Sequence, residues 1–596
     1  MRSRALRCSR VLLIATCLAA GQHAFASIDV QIQGVTDELH NNVTAYLSLT
    51  QYRNREVDAA TIDRLYARIY REVRDALEPF GYYQPQVTSA ITPLQKGNWR
   101  VVIQIDAGPA VIVRSVEVRV TGAGRDDPRF RSIVEHPTLH PGDRLLHAAY
   151  DQMKSELQST AATYGYFDAH MLRSELIVDP GKRSASAILD MATGARYRFG
   201  ATTIEQGVIN ERLARRYLRY RRGDPYDQSE LLRTQFALDD SEYFSTVTVQ
   251  PGEPDRVHHT VPVIIEARPN RLDRYSFSGG YGTDTGPRGT LQWDRTHIGT
   301  DGDRFGVQLE ASKLLQVLQA LYTIPVGDPA VDRLALGATA DYGIPGNLIN
   351  KDFAVGPSLT RVVGSYQYVF SVMPTRSITS DGITTQSQNL LIPSVTIGSV
   401  PSGYLGQGLL EQGFVAQLRA GTSITGPGDR FLQLHVTGRH TFDLSRDWHL
   451  LLRGEAGTSL VSRLNDLPGS LRFFAGGEGS VRGFEYDDLS PVEEELTAKG
   501  APVFLKVGGR DVLTSSVEIV RDVTSKIGIA VFSDAGNAFD DLGHSGNPVY
   551  PHFIEYSAGV GLRWRLPVLT LGIDVAQPVS RPGEGPRFDI YFGPKL

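Results

Sequence analysis

The sequence predicts three small α+β repeats followed by an all-β transmembrane barrel of about 16 antiparallel strands. Three observations carry this prediction. Between Ile28 and Arg268, an amphipathic helical tract, an aromatic knot and an alternating strand recur about every 80 residues. Beyond about Leu272 the hydrophobic period becomes two. After residue 27 no apolar run reaches the roughly 18 residues a spanning helix needs, so any crossing of a bilayer falls to strands.

Residues 1–26 read as a signal peptide. Arg2, Arg4, Arg7 and Arg10 precede an apolar run from Val11 to Ala20, and Ala24-Phe25-Ala26 supplies small residues before the expected cleavage at Ser27. Both cysteines, Cys8 and Cys17, lie in this segment, so the exported chain is expected to hold together by packing without disulfides. The formal charge of -5 over 596 residues makes no case for nucleic-acid binding. The 59 glycines, 25 tyrosines and 23 phenylalanines suit sheets joined by tight turns.

The first repeat, 27–108, has Ile62, Leu65, Tyr66, Ile69 and Val73 at helical spacing, then Gly81-Tyr82-Tyr83, then WRVVIQIDAGP. The second, 109–193, has Leu146, Tyr150, Met153 and Leu157, then Gly165-Tyr166-Phe167, then ASAILDMATGA. The third, 194–268, runs through LLRTQFALDD to Glu242-Tyr243-Phe244 and TVPVIIEARPN. The knots read as ordinary core packing. A strand, a helical pair, such a knot and a closing hairpin strand together resemble POTRA domains, which implies periplasmic modules that bind partners by adding an extended segment to a sheet edge.

In 269–596, YSAGVGLRWRL sets Tyr556, Ala558, Val560, Leu562, Trp564 and Leu566 against Ser557, Gly559, Gly561, Arg563 and Arg565. LTLGIDVAQPV likewise sets Leu569, Leu571, Ile573 and Val575 against Thr570, Gly572, Asp574 and Ala576. An apolar face backed by arginines fits a wall with lipid outside and water inside. Thr300-Asp301-Gly302 and Gly426-Pro427-Gly428-Asp429 punctuate the strands. About 325 residues at about 20 per strand and connection allow about 16 strands.

The stretch GGEGSVRGFEYDD, 476–488, follows an apolar tract as a dinucleotide loop would, but Gly477, Gly479 and Gly483 are spaced one residue too widely. Parity downstream explains its arginine better. VLTSSVEIV and IGIAVFSDAGNAF alternate so that Glu518 and Asp534 both face the barrel interior, where two carboxylates need a cation and a guanidinium can bridge them. Arg482 lies in the loop just before them, with Phe484 placed to wedge into the lumen. Val481-Arg482-Gly483-Phe484 with SVE at 516–518 and FSDAG at 532–536 resembles the signature of the BamA/TamA superfamily of outer-membrane insertases and transporters. The resemblance implies that Arg482 locks the loop in the lumen on Glu518 and Asp534. Three modules before one barrel resemble the TamA branch of that superfamily. This implies an outer-membrane assembly factor with its N-terminal modules in the periplasm of a Gram-negative bacterium. It implies as partners an inner-membrane-anchored TamB-like protein, unfolded outer-membrane or autotransporter clients, and the lipid bilayer. A secretion pore of the two-partner type is the alternative.

The closing seam must join RYSFSGGYG, 274–282, to PRFDIYFGPKL, 586–596. Gly279 and Gly280 offer no side chain for cross-strand contact, Gly593 permits a kink and Pro594 cannot donate a ladder hydrogen bond, so this seam is expected to part most readily. No catalytic, cofactor or metal constellation is found: G-x-S-x-G, H-E-x-x-H and a phosphate loop are absent, and the 14 histidines are scattered apart from His258-His259. Asp487 and Asp488 read as solvated loop charges. The six arginines of RLARRYLRYRRGD, 212–224, read as a solvated helix face, with contact to lipid headgroups or a partner as the alternative.

Overall fold

In the first repeat the alternation of Val101, Ile103 and Ile105 turns every second side chain toward the helices above the sheet, and all three are fully buried with Val43, Ile62, Val73 and Leu77. Each such side chain contributes roughly 1.5–3 kcal/mol of burial, enough to hold a small two-layer domain. The computed structural model describes residues 28–52, 57–95, 98–399, 413–425, 428, 430–496, 501–541, 553–566 and 569–594. The predicted signal peptide, and most of the expected turn at 426–429, lie outside the described residues.

Each repeat is a three-stranded sheet with its last strand in the middle. Trp99–Asp106 is flanked by Ile28–Gln33, to which it runs parallel, and by Gln86–Pro93. Ser184–Ala192 is flanked by Ile112–Thr121 and His170–Asp179, and Thr260–Pro269 by Arg198–Glu205 and Phe244–Pro251. The long helices Ile69–Leu77, His147–Thr163 and Gln228–Asp239 contribute the covering layer. Residues up to Gly200, with 222–228 and 253–261, form one compact unit; 201–221, 229–252 and 262–596 form a second, which contains the barrel.

The aromatic knots pack as core, as expected, with Tyr82 against the first core and Tyr166 within the second, and they serve as joints as well. Gly81 takes a left-handed turn at φ +87° and its carbonyl accepts from Val111 N at 2.8 Å, while the Tyr83 hydroxyl lies 2.6 Å from His147 Nε2. Gly165, at φ +81°, likewise accepts from Tyr197 N at 2.8 Å, and Phe167 packs edge-on to Tyr197 and Tyr226. The third knot replaces glycine by Glu242, held at φ +60°. Its carboxylate accepts from Arg274 at 2.6 Å, and the Tyr243 hydroxyl donates to Gly302 O at 2.6 Å. Each knot therefore seats on the element that follows it, the third on the barrel itself.

The basic run serves the same joint, a correction to its reading as wholly solvated. Arg219 pairs with Asp328, Arg216 donates to Gly327 O at 2.8 Å, and the buried Tyr217 donates to Pro329 O at 3.3 Å. Arg215 is spent on its own helix, on Glu211.

The barrel is closed and has 16 antiparallel strands: β1 Asp273–Gly282, β2 Gly286–Ile298, β3 Asp303–Ser312, β4 Leu315–Pro325, β5 Arg333–Gly343, β6 Ile349–Val363, β7 Tyr366–Ser380, β8 Thr385–Ser399, β9 Gly413–Ser423, β10 Arg430–Asp443, β11 Trp448–Val461, β12 Asp511–Asp522, β13 Ile527–Phe539, β14 Glu555–Arg565, β15 Leu569–Pro578 and β16 Arg587–Pro594. Parity behaves as expected: on β12 Leu513, Val517 and Ile519 are exposed on the outer face, whereas Thr514, Ser516 and Glu518 are buried inside. Among the described residues no helix is long and apolar enough to cross a membrane. The connection from β11 to β12 folds back into the lumen and carries a two-stranded ribbon, Val492–Leu496 with Pro502–Lys506.

Candidate functional site

The long loop enters the lumen because its tip is apolar where it meets the wall. Val481 and Phe484 are fully buried with Phe473, Ala475, Leu489, Val512 and Ala538. Gly483 turns between them at φ +91°, a conformation costly for any other residue, and brings Arg482 against the strands. Arg482 is 4% exposed. Its Nε donates to Asp534 Oδ2 at 2.7 Å and its Nη2 to Asp534 Oδ1 at 2.9 Å, the bidentate fork a carboxylate fits best. Nη1 donates to Glu518 Oε2 at 2.7 Å and to Asp574 Oδ2 at 3.1 Å, and Nη2 also reaches Ser516 Oγ at 3.1 Å. The guanidinium lies 3.4 Å from the ring centre of Phe532, its cation over the π face. Burial alone would push the Arg482 guanidinium down; the Asp534 and Glu518 carboxylates more than offset this and hold it above its usual range.

Arg482, Glu518 and Asp534 are thus brought together as parity requires, but the cluster is larger than the trio. Arg563 on β14 forks onto Glu518 at 2.9 and 2.8 Å, and onto Asp574 of β15 at 2.5 and 3.2 Å. Two guanidiniums and three carboxylates therefore tie the loop to four consecutive strands, β12 to β15. Parity had already set Arg563 and Asp574 on the lumen face; the missing step was their register, in which Gly561 opposes Asp574. A Cβ on Gly561 would lie 2.0 Å from Asp574 Oδ1, so glycine there leaves the space for the carboxylate.

The loop carries further anchors. Arg453 of β11 donates to the carbonyls of Glu478 at 3.3 Å and Ser480 at 2.9 Å. Arg581, buried beyond β15, pairs with Glu555 at 3.1 Å and Asp488 at 2.9 Å, and Lys506 reaches Asp488 at 2.7 Å. Asp487 accepts from Gly346 N at 3.2 Å. The expectation that Asp487 and Asp488 are solvated is therefore corrected: the loop folds back over them. Burial pushes the Asp487 carboxyl up to about 7.

The seam is of the opposite character. Between β16 and β1 the paired positions are Tyr281 with Phe592 and Gly282 with Tyr591. Continuing that register would set Gly280 against Gly593 and Gly279 against Pro594, and the ladder stops short of both pairs. Gly279 and Gly280 pair with Gly289 and Arg288 of β2, and Gly593 and Pro594 with Thr570 and Leu569 of β15. Besides the two pairs the seam is held by the stack of Tyr281 on Phe592, centroids 5.9 Å apart, by the bond from Thr283 N to Ile590 O at 3.0 Å, by the Thr283 hydroxyl, which donates to Asp589 Oδ1 and accepts from Ile590 N at 3.3 Å each, and by a long ion pair of Arg587 with Asp284 at 3.9 Å.

With this geometry in view, residues 411–594 match the Omp85 superfamily domain, and residues 29–107 match the first POTRA domain of the TamA type. The chain carries an Omp85 superfamily domain behind a TamA-type POTRA domain. The chain is 21% identical, over 89% of its length and 73% of the relative's, to the outer membrane protein assembly factor BamA of Neisseria meningitidis serogroup B (strain ATCC BAA-335 / MC58). In fold it is similar to the crystal structure of BamA from Haemophilus ducreyi lacking POTRA domains 1–3, with a TM-score of 0.54 and 15% identity over 96% of this chain and 100% of that one. CdiB from Acinetobacter baumannii gives a TM-score of 0.44 at 14% identity, over 82% and 90% of the two chains. The Omp85 match spans β9 to β16 and the whole lumen loop between β11 and β12, and so includes Arg482, Arg563 and all three carboxylates.

Proposed function

We propose that this Omp85 chain is a TamA-type outer-membrane assembly factor that receives β-rich outer-membrane or autotransporter chains from the periplasm and releases them sideways into the bilayer. The observation that carries the proposal is the short seam. A membrane barrel otherwise leaves no unpaired edge, because lipid cannot satisfy backbone N–H and C=O groups. A seam paired at two positions separates with few bonds broken and offers β1 and β16 as templates on which an incoming strand can form a ladder. The TamA-type match of the first module, and the presence of three modules in all, support the TamA reading over other members of the superfamily.

In this reading no cofactor, nucleotide or catalytic residue is used; the driving force is the burial of the client's apolar face in lipid and the pairing of its backbone. The ion-paired loop keeps the lumen plugged and the wall beside the seam in shape. The N-terminal modules dock an inner-membrane-anchored, TamB-like protein that bridges the periplasm. The test is capture from detergent-solubilised envelope with the full chain as bait, together with insertion of a radiolabelled autotransporter barrel into vesicles that hold the purified protein. A large inner-membrane-anchored partner and client insertion are expected. Recovery of a single exoprotein, with no insertion, would sink the proposal in favour of a secretion pore.

A further inference from the structure

A closed ring that parts at one junction must bend at others. Eight strands separate the β16–β1 seam from the β8–β9 junction in either direction, so β8–β9 is diametrically opposite. The strands next to the seam on one side, β12 to β15, are cross-tied by the charge cluster and have unbroken ladders from β12 through β15. The opposite wall is different.

Three prolines sit in the middle of three successive strands there: Pro357 on β6, Pro374 on β7 and Pro393 on β8. Proline has no N–H to give a ladder and is ordinarily confined to sheet edges and bulges. Between β6 and β7 the ladder is interrupted from Ala354/Thr375 to Ser358/Ser371, and between β8 and β9 from Leu391/Thr422 to Ser394/Arg419, in each case with the register unchanged on both sides. The interruptions face the prolines: Pro374 would oppose Val355, Pro357 would oppose Val372, and Pro393 would oppose Ala420.

The same patch is under-packed on both faces. On the lumen side lies a cavity of about 250 Å³ lined by Asp352, Met373, Ile392 and Arg419 among others. On the outer side lies an apolar groove of about 490 Å³ lined by Pro357, Val372, Pro393, Leu418 and Leu432 among others. Ser371 and Ser394, hydrogen-bonded to each other at 2.7 Å, border both spaces, so the wall there is a single backbone layer with room to move on each side.

We propose that this proline-notched patch across β6 to β9 is the hinge about which the barrel bends when its seam parts. Admitting one more strand requires a gap of about 4.8 Å at the seam. Neighbouring strands in natural sheets differ in relative rotation by tens of degrees, so a small change at two junctions that lack mid-strand bonds supplies that gap. The cavities take up the displaced side chains. The register is preserved across both interruptions, so the ladders re-form in the same alignment when the barrel closes.

The inference rests on the seam reading, and the experiment separates the two. Hydrogen exchange is followed by mass spectrometry over 277–283 and 588–592, and over β12 to β15, in purified full-length protein in lipid nanodiscs. A disulfide across the hinge, Pro393→Cys with Ala420→Cys, is compared with one placed away from it between in-register strands, Leu434→Cys with Thr458→Cys. The triple variant Pro357→Val, Pro374→Val, Pro393→Val, which restores three donors, gives an independent stiffening without a crosslink. The hinge disulfide is expected to slow seam exchange at least fivefold, reversibly on reduction, the triple variant to slow it in the same direction, and the control disulfide to leave it unchanged. Seam exchange that proceeds at the unmodified rate with the hinge disulfide closed overturns the hinge and leaves the seam reading standing. Seam exchange no faster than that of β12 to β15 in the unmodified protein overturns both.

Discussion

The wall from β12 to β15 and the seam between β16 and β1 lie next to each other in one barrel and are built on opposite rules. The first is laddered throughout and knotted by two guanidiniums and three carboxylates, with Arg482 reaching in from the loop. The second has two paired positions and an aromatic stack. A buried ion cluster is a poor source of net stability, because desolvation offsets most of its Coulombic gain, but it fixes geometry strictly since every misplacement leaves a charge unpaired. In place of such a cluster the seam has a single long ion pair, Arg587 with Asp284 at 3.9 Å. The contrast teaches that stiffness is placed beside the weakest junction of the barrel, which in the proposed function would direct deformation away from the loop lock.

The contrast breaks most severely at Arg482. In Arg482→Ala, Asp534 loses its bidentate partner and Glu518 and Asp574 share Arg563 alone. Loss of one partner from a shielded pair costs roughly 3–5 kcal/mol, less where water enters the lumen. The loop is expected to become protease-sensitive near residue 482 and assembly to fall, with expression less affected; proteolysis of the variant in intact cells, set beside its client insertion, checks this. Arg482→Lys is expected to recover only part of the function, since an ammonium cannot fork onto Asp534 while reaching Glu518.

A smaller break is expected at Gly561→Ala. The new Cβ collides with Asp574 Oδ1 and with Arg563 Nη1, at 2.0 and 2.7 Å, and displacing the pair costs about 1–3 kcal/mol as overpacking does. A lowered unfolding temperature with Arg482 still protected would separate the strand-to-strand half of the cluster from the loop half. On the other side of the comparison, Tyr281→Ala removes a stack worth about 0.5–1.5 kcal/mol and is expected to raise seam exchange without loosening the loop. Equal loosening of both would mean that the two regions are one mechanical unit.

How far the sequence alone reached follows from which interactions are local. Strand parity is local, so the lumen-facing positions of Glu518 and Asp534 were legible, as were the glycines and the proline at which the seam ladder ends. Arg563 and Asp574 had the right parity too, but their joining depends on register between β14 and β15, which no single strand encodes. The knots were legible as core, which the packing of Tyr82 and Tyr166 bears out, but a buried aromatic reads the same whether or not it also seats the next domain. Their role as joints appears only with the contacts of Gly81, Gly165 and Glu242. The solvated reading of Asp487 and Asp488 failed because the loop folds over them, a long-range event.

The smallest effect is a pH dependence in the loop. Asp487 has its carboxyl raised by burial to about 7, well above its unfolded value, so the folded loop binds a proton that the released loop does not. The contribution is therefore fully present below the unfolded value and fades as pH rises through about 7. Loop protection from protease is expected to be modestly greater at pH 6 than at pH 8; burial raises the Glu478 carboxyl of the same loop to about 7 as well, so Asp487→Asn is expected to lessen the difference and the double variant Asp487→Asn, Glu478→Gln to remove it.

The proposed function requires that the seam part to let clients out. Its most direct test is a disulfide between Tyr281→Cys and Phe592→Cys, positions paired across the seam, in protein reconstituted with a client barrel. With the bond closed the barrel is expected to remain folded and client insertion to cease; with the bond reduced, insertion is expected to return. Insertion at the unmodified rate through the closed seam would contradict the claim.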